Sequence, residues 1–301
     1  MATGVTGTAK GAMLMVSCMS IIGLIDNFVK IIAEEAGLWQ FHFLRAVMAC
    51  STLAVLAVMM GWQIWPKRWR GVLIRSGLGA VSMGAYFGAL GFLPIAQVGA
   101  GMFTAPLFVL VFSVLVFGEK VGVWRVSAAV AGFLGVLLVL RPDFGDLQVV
   151  TLVPVVAGVG WALTALSTRY LCEGEDTVTL LFWFFAALGL LGGVGLVLMG
   201  PLGFGDGQSF VTTGWVAPSR AFWFWTVIQA VFSMIAVGML TRAYQIGETS
   251  YIAVFEYSFL IFASLWGWVL WGDQLGVWGF VGMAAIIGSG VVIAVRTQEV
   301  A

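Results

Sequence analysis

Ionisable and hydrogen-bonding side chains lie inside two long apolar stretches near the start of the chain. Asp26, Asn27 and Lys30 lie towards the end of the first stretch, and His42 and Arg45 lie towards the start of the second. An ionised side chain inside a bilayer costs about 2.5–3.5 kcal/mol on insertion scales, so such residues are rare and are default candidates for function. These five residues are therefore our first candidates for a binding site.

Two interpretations of this cluster remain open. At 1.5 Å per residue, Asp26 and Arg45 lie at a similar depth, roughly 9–10 Å from the same face of a bilayer. Asp26 and Lys30 also have the acid-first i, i+4 spacing that favours an ion pair on a helix. The cluster could hold the first two helices together, or it could line a pathway and bind a zwitterionic or anionic substrate. His42, the only histidine, could instead relay protons.

A second set of candidates centres on Glu256 in the last third of the chain. Tyr257 follows it directly, and Tyr244 precedes it in the previous apolar stretch. A carboxylate in such a place could bind a proton or an ammonium group, or it could satisfy only a neighbouring arginine or tyrosine. Tyr86 and Gln97 are weaker candidates, whose polar groups are more simply satisfied by a neighbouring helix. Most tryptophans lie near span ends, as in an interfacial belt, but Trp161 and Trp183 lie deeper and could line a cavity.

The composition identifies the surroundings of these residues as lipid. Hydrophobic residues make up 61% of the chain and charged residues 9%, against about 45–50% and 25% in ordinary soluble domains. The 14 basic and 14 acidic residues cancel, so no basic patch for nucleic acid is expected. The three cysteines lack the spacing of a zinc site or a disulfide framework, and we expect neither a metal nor a cofactor.

Ten apolar stretches are long enough to cross a bilayer, which takes about 20 residues in an α-helix. We therefore predict an all-α polytopic membrane protein. Its spans are predicted at approximately 11–32, 39–60, 71–91, 96–117, 122–140, 149–169, 178–199, 222–242, 250–271 and 276–295. No connector between them is long enough to form a separate soluble domain.

Basic residues are unevenly divided between the two sides of this predicted bundle. If the N-terminus is inside, only Arg141 and Arg220 fall outside. The basic residues on or near the inner side are then Lys10, Lys67, Arg68, Arg70, Arg75, Lys120, Arg125, Arg169, Arg242 and Arg296. Lysine and arginine favour cytoplasmic loops, so both termini are expected in the cytoplasm.

The chain also resembles itself. A shift of 154 residues aligns FGEKVGVW at 117–124 with WGDQLGVW at 271–278. Each segment lies between the fourth and fifth span of a five-span half, so we predict one repeat over 1–141 and a second over 142–301. Because five is odd, the halves must be inverted relative to each other, as in carriers that open a central site alternately to each face. A duplication kept only for packing would leave the same pattern.

Enzyme motifs are missing from the sequence. It contains no H-E-x-x-H, no G-x-S-x-G, no nucleotide-binding G-x-x-x-x-G-K-[ST] and no dinucleotide fingerprint after a strand. Neither a ring of like charges nor a filter sequence for a channel is apparent. These absences favour a carrier over an intramembrane enzyme, which would have to use His42, and over a passive channel.

Several motifs resemble the EamA domain of the drug/metabolite transporter superfamily. They are RSGLG at 75–79, FGALGFLPIA at 87–96, TAPLFV at 104–109, FGEK at 117–120 and GFLGVLLVLRP at 132–142, with FHFLRA at 41–46 similar to the arginine-bearing second helix of that family. In the second half, FEYS at 255–258 and WGD at 271–273 resemble the repeat of the same domain, with Leu260 where the first half has Pro106.

The resemblance implies ten helices in two inverted repeats, a central cavity lined mostly by helices 1–4 and 6–9, and helices 5 and 10 at the periphery. It also implies secondary transport across a bacterial-type inner membrane without ATP or a prosthetic group. The similarity to bacterial amino-acid exporters, including the aromatic amino-acid branch, makes an amino acid the expected substrate, exported by alternating access. The alternative is uptake of a nucleoside-type compound, an organic cation or a drug. A monomer is compatible with the sequence, which leaves the oligomeric state open.

Overall fold

The computed structural model describes residues 2–90, 93, 95–142, 149–274 and 276–298, and the side chains of these residues except those of 2–6 and 296–298. Pro94 of the family motif, Leu275 of the aligned repeat and the side chain of Arg296 lie outside the described part. All regular structure within the described part is helical.

Within the residues that the structure describes, ten helical spans are long and apolar enough to cross a membrane, which confirms the predicted fold class. We number them 1 to 10 in chain order. Their bounds are Gly7–Glu35, Leu38–Met60, Trp69–Ala89, Ile95–Leu115, Val123–Leu140, Val149–Tyr170, Thr177–Met199, Arg220–Ile246, Thr249–Trp271 and Val277–Val295. The helices of the first and last spans continue to Ala2 and Gln298.

Span 1 is broken where the sequence predicted a continuous helix. It consists of the helices Ala2–Asp26 and Val29–Glu35. The side-chain amide of Asn27 donates to the carbonyl of Gly23 at 2.7 Å, which is the carbonyl that the backbone N–H of Asn27 would use in a helix. That N–H bonds to Leu24 instead, at 3.3 Å. The side chain thus competes with the helix for its own hydrogen bond, and the helix ends there.

Spans 4 and 9 are also interrupted, against the prediction of single helices. Span 4 consists of Ile95–Met102 and Ala105–Leu115. Pro106 has no N–H to offer, and its ring would clash with the carbonyl of Met102, four residues earlier, so the first helix ends at that residue. Span 9 consists of Thr249–Ile252, a 3₁₀ segment Ala253–Tyr257 and Ser258–Trp271. No proline marks this break, which takes the form of a stretch of tighter 3₁₀ winding.

The packing of the spans has a regular pattern. Span 1 packs on spans 8 and 9, just as span 6 packs on spans 3 and 4, while span 2 pairs with span 7 and span 5 with span 10. If each span is replaced by the span five places away in the chain, so that 1 and 6, 2 and 7 and the following pairs change places, the same set of contacts results. Two related halves are expected to show this pattern. Spans 5 and 10 approach closely at Gly135 and Gly282, where an added Cβ would lie 2.7 and 2.5 Å from the partner's backbone oxygen. These two spans are the least buried of the ten.

Candidate substrate cavity

The bundle has two ends. We call the end with the connections after spans 2, 4, 6 and 8 the terminal end, because span 1 begins and span 10 ends there. The other end is the distal end. A cavity of about 490 Å³ lies between spans 1, 3, 4, 5 and 9 and reaches the distal end at Leu90, Ile95 and Asp273. It is therefore open towards the distal end. Polar and aromatic lining residues include Asp26, Asn27, Tyr86, Phe87, Phe103 and Phe259.

Asp26 lies at the break in span 1 and contributes a carboxylate to the cavity wall. Asp26 and Asp273, which lies at the mouth, are the two acidic residues among the described lining residues, and none of these lining residues is basic. Within the described part of the chain, no basic group approaches Asp26 within 4 Å. Asn27 beside it is used structurally, because its amide also bonds to the carbonyl of Ala263 on span 9 at 3.2 Å.

Arg45 is the basic counterpart of Asp26 on span 2. The two groups attract each other electrostatically but form no direct ion pair. Arg45 Nη2 lies 3.1 Å from His42 Nδ1, its guanidinium lies 4.8 Å from the Phe41 ring, and its buried Nε has no hydrogen-bond partner. His42 in turn contacts Phe87, a residue of the cavity wall, at 4.8 Å between rings. Arg45 and His42 thus lie behind the aromatic wall of the cavity.

The ion pair suggested by the spacing of Asp26 and Lys30 does not form. The i, i+4 relation requires a continuous helix, and span 1 is broken between these residues. Lys30 is exposed and places Nζ 3.5 Å from the centre of the Trp271 ring. It makes a cation–π contact between spans 1 and 9 at the distal end and does not line the cavity.

Glu256 lies below the floor of the cavity. The floor includes Phe103, whose ring lies 5.7 Å from Phe259 and 6.3 Å from Tyr257. Beneath it, Glu256 Oε1 accepts hydrogen bonds from Tyr244 at 2.5 Å and from the Trp161 indole at 3.2 Å. Four predicted candidates are therefore close together, but in the core and not in the cavity wall: Trp161, Tyr244, Glu256 and Tyr257.

Two other predicted candidates have different surroundings. Trp183 was expected deep enough to line a cavity, but its indole donates to the carbonyl of Ile64 at 3.0 Å, and its ring packs against Trp65 and Trp69. It belongs to the terminal end, because span 7 starts there. Gln97 lies on span 4 between lining residues and is not itself among them.

The terminal end is closed by polar contacts between the two halves of the chain. Lys67 forms an ion pair with Asp176 at 3.6 Å, and Glu175 accepts a hydrogen bond from the backbone N–H of Arg68. On the other side of the bundle, Arg125 pairs with Glu248. Further contacts between the halves join Tyr170 to Glu119 and Thr179 to the carbonyl of Gln63. Within the second half, Arg169 donates to the carbonyl of Gly247.

Arg75 is a buried residue whose role the sequence did not reveal. It was counted only as a basic residue near the inner side. In the structure it is 2% exposed and donates to the Thr168 hydroxyl at 2.9 Å, the Leu180 carbonyl at 2.8 Å and the Thr241 hydroxyl at 2.9 Å. One guanidinium on span 3 thus ties together spans 6, 7 and 8. The signal available in the sequence was its position, because an arginine seven residues into a membrane span needs partners for its charge.

A ten-helix bundle with broken helices beside a half-open cavity is an architecture found in secondary transporters. The cavity differs from the expected central one, because span 5 contributes to its wall while no described lining residue comes from spans 2, 6, 7 and 8. A solved protein structure matches this fold with a TM-score of 0.80 at 16% identity, covering 96% of this chain and 98% of the other. Residues 9–141 match the model of the EamA-like transporter family. Residues 9–141 therefore carry an EamA-like transporter domain. The ten spans make the chain a multi-pass membrane protein that is similar to bacterial transporters of the drug/metabolite transporter superfamily.

Curated relatives cover most of the chain at lower identity. A riboflavin transporter of Rhizobium johnstonii is 27% identical over 87% of this chain and 80% of its own length. The pseudopaline exporter CntI of Pseudomonas aeruginosa is 25% identical over 95% of this chain and 94% of its own length. An uncharacterized transporter of Helicobacter pylori is 24% identical over 90% of each. These transporter relatives support a role other than catalysis, with a small molecule as substrate and lipid as surroundings.

Proposed function

We propose that the protein is a secondary transporter that exports amino acids or similar small zwitterionic metabolites by alternating access. The observation that carries this proposal is the pair Asp26 and Arg45. Both lie inside the membrane, attract each other electrostatically and make no direct ion pair. A zwitterion can offer an ammonium group to the Asp26 carboxylate in the cavity wall. Its own carboxylate suits the fork of donors of the Arg45 guanidinium, which it reaches when the Phe87 ring in front of Arg45 and His42 moves aside.

The two ends of the bundle support alternating access. The cavity is open at the distal end, and polar contacts close the terminal end. With both termini in the cytoplasm, as we propose from the distribution of basic residues, this is a state open to the outside. Division of the chain into inverted repeats at 1–141 and 142–301 would supply the opposite state, with the cavity open to the cytoplasm.

Uptake of a flat aromatic metabolite such as riboflavin is the second candidate function. Several relatives of similar identity are riboflavin transporters. The rings of Tyr86, Phe87, Phe103 and Phe259 line the cavity and offer faces on which a planar ring system could stack. This alternative uses the same cavity but gives no role to the charge of Arg45.

The test is counterflow in proteoliposomes preloaded with single compounds from a panel of amino acids, nucleosides and riboflavin. For an amino-acid carrier, Asp26→Asn and Arg45→Gln should each reduce exchange about tenfold or more, which corresponds to 1.4 kcal/mol or more of lost binding. The yield of folded protein should stay near that of the wild type, because neither substitution breaks a direct ion pair.

The matched controls are Asp273→Asn at the mouth and Arg70→Gln, which is exposed at the start of span 3. If the protein exchanges riboflavin and transports no amino acid, amino-acid export is rejected in favour of riboflavin uptake. Loss of folded protein in Asp26→Asn and Arg45→Gln would instead mean that the two charges serve the structure.

A further inference from the structure

Glu256 is a carboxyl group inside the membrane that the binding of a zwitterion does not use. It is 6% exposed and belongs to the 3₁₀ segment Ala253–Tyr257 that interrupts span 9. Its hydrogen-bond donors, Tyr244 and Trp161, come from spans 8 and 6, and both contact Oε1. The group therefore lies where three spans meet, at a break in one of them.

No cation neutralises this carboxyl group. Within the described residues, no basic side chain lies within 4 Å of Glu256. The titratable groups that face it are the Cys18 thiol from span 1 and the phenols of Tyr244 and Tyr257 from spans 8 and 9, and none of these can be a cation. Arg242, the arginine nearest to Glu256 in the sequence, is exposed. An unpaired buried carboxylate is costly, so a proton is the simplest way to neutralise it.

The position of Glu256 couples it to the opening of the bundle. Phe103 and Phe259 separate it from the cavity that is open to the distal end. On its other side, span 9 begins at Thr249, next to Glu248, whose ion pair with Arg125 closes the terminal end. If the terminal contacts separate, water can approach Glu256 from that end, and an ionised carboxylate is then no longer costly.

We propose that Glu256 is a proton-binding site that couples transport to the proton gradient. While the cavity is open to the distal end, Glu256 takes up a proton from the cavity water, which reaches it when the rings of Phe103 and Phe259 move apart. It releases this proton to water when the terminal end opens. In an exporter, one proton then moves inward as the substrate moves outward. The direction of coupling rests on the proposed function. The existence of the proton site does not.

The decisive variant is Glu256→Gln, because a glutamine side-chain oxygen can still accept from Tyr244 and Trp161 while carrying no titratable proton. We expect counterflow exchange without a gradient to persist and to become independent of pH, whereas transport driven by a pH gradient is lost. The control is Glu34→Gln, an exposed carboxyl at the distal end, which should keep both activities. Two results would overturn the proposal. One is gradient-driven transport by Glu256→Gln. The other is a folded Glu256→Gln protein that loses both exchange and gradient-driven transport, because Glu256 would then only hold spans 6, 8 and 9 together.

A measurement without substrate separates this proposal from the proposed function. Infrared difference spectra of the purified protein should show the carbonyl stretch of a protonated carboxyl group that titrates with pH, is absent from Glu256→Gln and persists in Glu34→Gln. Its presence, in a protein that transports no amino acid, would keep the proton site and reject the substrate. Its absence from the wild type would reject the proton site whatever the substrate is.

Discussion

The two ends of the bundle are held together differently. At the terminal end, contacts between the halves occur on both sides of the bundle, through Glu175 near span 7 and Glu248 near span 9. At the distal end, the hydrogen bonds between halves are concentrated on one side, where segment 200–219 joins the start of span 2. Those bonds link Leu38 to Phe210, Trp39 to Val211 and Gln40 to Val216.

This difference explains why the cavity opens where it does. The mouth lies between span 3, span 4 and the end of span 9, away from the side that segment 200–219 secures. The terminal contacts are mostly single ion pairs or hydrogen bonds of exposed or half-buried groups. Contacts of this kind are individually weak, so they can separate in turn, as a carrier requires. The contacts of Arg75, Glu175 and Thr179 are exceptions, because these three side chains are buried.

The largest expected effect is that of removing Arg75. Arg75→Met would leave the Leu180 carbonyl and the Thr241 hydroxyl without their donor, and we expect it to destabilise the protein by about 2–3 kcal/mol. Arg75→Lys keeps the charge but not the three directed bonds, so its loss should be smaller. Thermal unfolding in detergent measures both.

The control is Arg70→Met, which changes an exposed arginine on the same helix. If Arg75→Met unfolds at the same temperature as this control, Arg75 is not the anchor of the terminal end.

A smaller effect is expected from weakening the terminal contacts. Cys172 lies at this end, is 1% exposed, and burial raises the pKa of its thiol to about 11. It should therefore react slowly with a water-soluble maleimide at neutral pH, since the thiolate is the reactive form. Glu175→Gln weakens the contact with the Arg68 backbone and should speed the labelling several-fold by populating open states.

The labelling is measured by mass spectrometry in a background with Cys18 and Cys50 replaced by serine. Glu34→Gln at the distal end is the matched control and should leave the rate unchanged. Equal labelling rates in both variants would contradict the assignment of Glu175 to closure of the terminal end.

The smallest effect is expected in the distal connector. The Thr212 hydroxyl and the backbone N–H of Gln208 donate to Asp206 and lower the pKa of its carboxyl. The stability that the ionised form contributes is thus present above the unfolded pKa of about 3.9 and is lost as the pH falls through the lower folded pKa.

Asp206→Asn should therefore lower the unfolding temperature slightly at neutral pH, and the difference from wild type should shrink in acid. Thermal scans at several pH values measure this difference. A difference that stays constant down to the lowest pH would show that ionisation of Asp206 contributes nothing to the connector.

The sequence by itself determined the ten spans and the residues that are costly inside them. Hydropathy is sufficient for this because a chain in lipid must satisfy its backbone hydrogen bonds within each helix, so each span is encoded locally. The cluster with Asp26 and Arg45, and the separate position of Glu256, followed from the same reasoning. The candidate binding residues remain proposals.

Only the tertiary structure decided which of these residues meet. The side-chain bond of Asn27 broke span 1 and separated Asp26 from Lys30, which simple helical spacing had paired. Arg75 found its partners on three spans far away in sequence. Such contacts, like the choice of the end that is open, depend on how helices pack side by side, and apolar stretches of nearly uniform composition carry little information about that packing.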